Sequence, residues 1–179
     1  MARLLCLVAG FFTFVAPSTR AQPPDPCQFD TVCRFLEQNI GVTKSPVTLA
    51  RLRALAKVED EHVTPVKNVH DPGKTDEIHD LRYAGMTIRA YASAAGPVLI
   101  QHIVITSGPH TLPLKLAFGR STLEDVQFAI GVPKNVDHLP GGTSRWQYVN
   151  IEGTASVVFE FEPEPSLRIK RVEWNFEVD

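Results

Sequence analysis

A chain of 179 residues, 44% apolar and 21% charged, carries enough apolar side chain for one good-sized core or two small ones, which excludes a disordered or low-complexity protein. Its 18 basic and 20 acidic side chains give a formal charge of −2, so the strongly basic balance of a nucleic-acid or anionic-membrane binder is excluded as well.

The N-terminus is different in kind from the rest. Arg3 precedes an apolar run over residues 4–16, and residues 17–21 end on the small side chain of Ala21, which together read as a secretory signal peptide. The run is too short to cross a bilayer, which takes about 20 apolar residues. Cleavage after Ala21 removes Arg3, Arg20 and Cys6 and leaves 16 basic against 20 acidic side chains, a charge of −4. No cysteine directly follows the apolar run, so none is placed for lipid attachment. The expectation is a periplasmic or secreted protein, soluble after signal removal, with no membrane insertion and no nucleic-acid partner.

Residues 22–44 form a cysteine-containing helical segment. Asp25-Pro26 suits a helix cap and first turn, and Phe29, Cys33, Leu36 and Ile40 fall on one helical stripe. Cys27 and Cys33 are the two cysteines of the mature chain, and an oxidising compartment favours their pairing. Six helical positions span about 9 Å along the axis, which exceeds the reach of a disulfide. Either the bond or the early helix start gives way, and we expect the bond, with regular helix beginning near Asp30. A zinc site is the weaker alternative, since two thiols lack the remaining ligands.

Residues 45–106 begin with a helix opened by Ser45-Pro46, whose buried stripe is Leu49, Leu52, Leu55 and Ala56. Residues 57–75 read as irregular, broken by Pro65, Pro72 and Gly73, with at most a short strand near Val63. Residues 78–83, 86–92 and 98–106 are strand-like; in the second, Met86, Ile88, Ala90 and Ala92 alternate with Thr87, Arg89 and Tyr91. Residues 107–118, opened by a Pro- and Gly-containing stretch, read as a linker. Residues 119–179 then open with a helix capped by Ser121 or Thr122, supported by Glu124 or Asp125 and stopped by Gly131 and Pro133, with Leu123, Val126 and Ile130 on one stripe. Three strand-like runs follow.

The order of signals in 45–106 returns in 119–179. Residues 48–52 match 122–126, Leu81 and Tyr83 match Trp146 and Tyr148, and the Met86 strand matches Ala155, Val157, Phe159 and Phe161. The last strand of each copy also slips its apolar phase, from Val98 and Ile100 to Ile103 and Ile105 and from Leu167 and Ile169 to Val172 and Trp174, which calls for a bulge. The fold class predicted is α+β: two tandem repeats, each one helix packed on one face of a three-stranded antiparallel sheet.

The glycine, Ser-Thr, Asp-Val and Gly-x-Pro pattern of residues 119–133, followed by strands, resembles the SmpA/OmlA family of small outer-membrane assembly proteins. The doubling over residues 49–179 resembles the tandem modules of the β-lactamase-inhibitor-protein family. These resemblances imply a non-enzymatic envelope protein of assembly or inhibitor type that binds another protein. The lipidated N-terminal cysteine of the assembly family is absent, and no inhibitor contact motif matches.

Catalytic patterns are scarce. There is no Gly-x-Ser-x-Gly elbow, no His-Glu-x-x-His and no phosphate-binding glycine loop. No catalytic residue, cofactor or metal site is therefore predicted. Glu160 and Glu162 alternate with Phe159 and Phe161 as wet-face residues do. The candidate contact surface is the polar sheet face, with Arg89, Tyr91, Glu160, Arg168 and Lys170, because Tyr and Arg are favoured at interfaces. The alternative is a periplasmic metal-dependent hydrolase using histidine-carboxylate pairs at His70, His79 and His138.

Overall fold

Alternating apolar side chains dictate most of the architecture, and polar edge strands supply the rest. The computed structural model describes residues 35, 47–68, 70–94, 98–108, 110–150 and 152–177. The expected signal peptide and the Cys27–Cys33 pair lie outside the described residues. In chain order the elements are α1 (Leu49–Arg53), β1 (Val58–Lys67), β2 (Thr75–Tyr83), β3 (Met86–Ala92), β4 (Val98–Ile105), a 3₁₀ turn (Pro113–Lys115), α2 (Leu123–Ile130), β5 (Asn135–His138), β6 (Ser144–Val149), β7 (Ala155–Phe161) and β8 (Ile169–Phe176). Among the described residues no helix is long and apolar enough to cross a membrane.

The eight strands of the described residues form one antiparallel sheet in the order β1-β2-β3-β4-β8-β7-β6-β5. This overturns the expectation of two helix-plus-three-stranded repeats. Each half contributes four strands instead of three, the sheets are continuous across β4 and β8, and α1 is only five residues long. The cause lies in the apolar last strands. In β4, Ile103, Val104 and Ile105 are all buried, so side chains on both faces are withdrawn from water, and such a strand needs neighbours on both edges. β8, with Val172 and Trp174 fully buried, is the neighbour that meets it.

The two strands missing from the sequence reading are the two edges. β1 occupies the stretch expected to be irregular, because its charged run gives no clean alternation and Pro65 is tolerated only where no ladder bond is required. β5 is short and exposed throughout. The first helix is also shorter than its stripe implies. Thr48, not Ser45, caps it by accepting a hydrogen bond from Arg51 N at 3.2 Å, and of the predicted stripe Leu52 is buried whereas Leu55 is 37% exposed.

One face of the sheet carries a single core. Leu81, Ile88, Ile103, Val157, Phe159, Phe161, Val172 and Trp174 are buried there, together with Leu52, Val126 and Ile130 from the helices and Leu112 and Leu116 from the chain between the halves. Phe35 is fully buried among them, stacked on Trp174 with ring centroids 5.7 Å apart and tilted against Phe159 at 5.4 Å. Of residues 22–44 it alone is described, so the helical stripe read for that segment lies outside the described residues. The α2 cap is as expected: Thr122 accepts from Asp125 N at 3.4 Å while Asp125 Oδ2 accepts from Thr122 N at 2.8 Å.

Bulges occur in both final strands. Arg89 pairs with His102 and Ala90 with Ile100, leaving Gln101 as the extra residue; Glu160 pairs with Arg171 and Phe161 with Ile169, leaving Lys170. Gly85, at φ 73°, turns β2 into β3, and a Cβ there would lie 2.4 Å from the Ser107 carbonyl oxygen. The face assignment predicts that Phe159→Ala costs about 3–5 kcal/mol, whereas Glu160→Ala on the opposite face changes stability by no more than about 0.5 kcal/mol. Equilibrium urea denaturation monitored by tryptophan fluorescence distinguishes the two.

Candidate functional site

Strand alternation sends a second set of side chains to the face opposite the core, here called the outer face. The register places His62, Asp80, Arg89, His102 and Asn175 in one row across β1, β2, β3, β4 and β8. A neighbouring row runs Arg82, Thr87, Val104, Glu173, Val158 and Gln147 from β2 to β6. A third contains Arg171, Glu160, Arg145 and Asp137.

Glu173 is the centre of this face. Its cross-strand neighbours Val104 and Val158 are 9% and 2% exposed, so the carboxylate stands between two buried aliphatic side chains. Arg171 Nη2 donates to Glu173 Oε2 at 2.7 Å, and His102 Nε2 lies 3.1 Å from Oε1, a close contact off the best hydrogen-bonding direction. His102 and Arg171 together hold the Glu173 pKa down to about 2 against the opposing effect of burial. Glu160 is more loosely tied, 3.9 Å from Arg171 Nε. Farther along the face, Arg89 forks onto both oxygens of Asp80 at 2.7 and 2.9 Å and depresses that carboxyl's pKa, and Arg82 reaches Asp60 at 3.0 Å.

The proposed contact residues distribute unevenly over this framework. Arg89 and Tyr91 share the outer face of β3, and Glu160 shares it on β7, three strand spacings or about 14 Å away. Arg168 and Lys170 are exposed at the start of β8, Lys170 as the bulge residue. The structure therefore brings Lys170 close to Glu160 but does not join either to Arg89 or Tyr91. Tyr91 has a structural partner too: its hydroxyl donates to Asp76, which also accepts from Asn68 Nδ2 at 2.7 Å and Ala94 N at 3.0 Å. These bonds, Tyr91's first, lower the Asp76 pKa, and the Asp76 bond in turn raises that of Tyr91.

Sequence reasoning left Glu173, Arg171, Asp80 and His102 out of the candidate surface; in β4 the bulge residue is Gln101 and His102 pairs with Arg89. The signal available was the polar phase of β8, where Arg171, Glu173 and Asn175 alternate with Val172 and Trp174.

The histidines of the hydrolase alternative do not converge. His70 lies in the turn between β1 and β2, His79 is buried on the core face of β2, and His138 is on β5 at the far edge. β2 and β5 are six strand positions apart, about 28 Å. Among the described residues no group of three or more His, Cys, Asp and Glu could hold a metal ion.

His79 is instead part of a strut tying α1 to the sheet edge. Its Nδ1 lies 2.8 Å from Glu61 Oε1 and its Nε2 3.1 Å from Glu77 Oε2, and both contacts are hydrogen bonds when both nitrogens carry hydrogen. Arg53 of α1 grips the same Glu61 with Nε at 2.9 Å and Nη2 at 2.7 Å. Arg53 first, then His79, hold the Glu61 pKa down to about 2. Beside them Tyr83 donates to Leu52 O at 2.8 Å, with burial pushing its pKa up to about 12.

Comparison with known proteins finds no family model, no curated protein and no solved structure that matches this chain.

Glu61 and Glu173 both have folded pKa values below the ordinary 4.5, so they add stability above that pH and lose it as pH falls toward about 2. The thermal midpoint should decline through that window. Glu61→Gln should lower the midpoint at pH 7 and flatten the acid decline, measured by circular dichroism melts at stepped pH; an unchanged acid limb in the variant would contradict the assignment.

Proposed function

We propose that this chain is an exported, non-enzymatic protein-binding module of the bacterial cell envelope, of assembly or inhibitor type, that meets its partner through the outer face of the sheet. The observation carrying this reading is the construction of that face. All described helices and the apolar core lie on the opposite side, leaving rows of Arg, His, Tyr, Asp and Glu around a floor of Val104 and Val158. Charges already paired within the face have less side-chain freedom to lose on binding, and Arg and Tyr supply the large, directional contacts favoured at interfaces.

Export is supported by the basic residue, apolar run and small-residue end of residues 1–21. The envelope setting also draws on the resemblance of residues 119–133 to the outer-membrane assembly family.

A photo-crosslinking side chain introduced at Arg89 or Lys170 on the outer side, or at Gln127 on the exposed side of α2, tests the reading in the exporting cell. A specific adduct from Arg89 or Lys170 and none from Gln127 is expected, on a protein whose mature N-terminus is Gln22. Adducts confined to Gln127, or a chain retained in the cytoplasm with residues 1–21 intact, would overturn it.

A further inference from the structure

The two edges of the sheet are built differently. β1 presents Glu59, Asp60 and Glu61 in succession and then Pro65, so an added strand would meet a run of acids and a residue with no N–H. β5 carries neither guard. Asn135, Val136, Asp137 and His138 are all exposed, Val136 by 39%, and Leu139 just beyond is 36% exposed.

The hydrogen-bond phase of β5 fixes which groups face outward. Leu139 N donates to Thr143 O at 2.8 Å, and the same register pairs Asp137 with Arg145 and Asn135 with Gln147. Odd-numbered residues thus form the bonded pairs with β6. Antiparallel ladders alternate, so the N–H and C=O groups of Val136 and His138 point to the open edge.

Two two-fold registers centred on an interior residue of β5 bring outward-facing groups of a second copy against that edge. Centring on Asp137 sets two carboxylates directly against each other, which is unfavourable. Centring on Val136 lets the two Val136 residues exchange both backbone hydrogen bonds and contact each other on the core side, where Val136 already neighbours Trp146. It also sets Asn135 opposite Asp137 of the second copy, twice, with an amide donor facing a carboxylate acceptor. We propose that the chain self-associates through β5 in this register, continuing the sheet into a second molecule.

Sedimentation equilibrium of the mature chain over a concentration series tests this. A monomer–dimer equilibrium is expected. Val136→Pro removes an N–H that β6 does not use, so it should abolish the dimer while leaving the urea midpoint of the dilute, monomeric chain nearly unchanged. Asn135→Asp places like charges opposite one another at two positions and should raise the dissociation constant by about tenfold or more. Combining Asn135→Asp with Asp137→Asn re-creates the pairing in reversed order and should restore the dimer. A chain monomeric to about 1 mM, or a dimer indifferent to both Val136→Pro and Asn135→Asp, would overturn the proposal, the latter by placing the contact on another surface. Failure of the reversed pair to restore association would overturn the register.

Discussion

The pairing of β4 with β8 is the contact on which the rest of the structure depends. It consists of four residue pairs, from His102 with Asn175 to Ile105 with Val172, and it makes one sheet of two halves. On the core side it brings Ile103 and Ile105 against Trp174 and Val172, all fully buried. Fully burying side chains of this size contributes about 1.5–3 kcal/mol each, so separating the halves would uncover Ile103 and Ile105 of one and Val172 and Trp174 of the other. On the outer side the same seam is crossed by the His102–Glu173 contact. The core and the candidate binding face are therefore coupled through one strand pair.

That coupling bears on function. His102 and Arg171 hold Glu173 ionised between Val104 and Val158 against burial, which by itself disfavours a charged carboxylate. Arg171 sits next to the Lys170 bulge, and His102 follows the Gln101 bulge in the opposing half. Each bulge shifts the side-chain phase by one residue, which keeps apolar residues on the core side before and after it and delivers a charged residue to the centre of the outer face. The local irregularities and the polar centre are products of the same constraint.

Six inner strands and α2 were legible in the sequence because each buries one face, so apolar residues recur at strand or helix period; Met86, Ile88 and Ala90 in β3 are the clearest case. The phase slips in the last strands also announced both bulges. The edges were not legible, since β1 and β5 bury few side chains and owe their form to a single neighbour. Nor was the join between β4 and β8, because nothing local to either strand names its partner. The candidate site suffered most from this. Arg89, Tyr91 and Glu160 could be put on a polar face from alternation alone, whereas Glu173 becomes central only when Val104 and Val158 are its neighbours. His79 shows the opposite limit: a histidine among Asp76, Glu77 and Asp80 looks like a solvent-facing or metal-binding residue, yet Glu61 and Arg53 draw it into a buried strut.

The central claim is that the seam makes both halves one cooperative unit, and native-state hydrogen exchange tests it most directly. The account predicts that the slowest amides in β3, β4, β7 and β8 exchange with one common opening free energy, equal to that of global unfolding, and that β1 and β5 exchange faster. If amides of β4 and β8 facing the seam exchanged as readily as those of the outer edges, while the inner strands of each half stayed protected with separate free energies, the halves would be independent sheets in contact and the account would be contradicted.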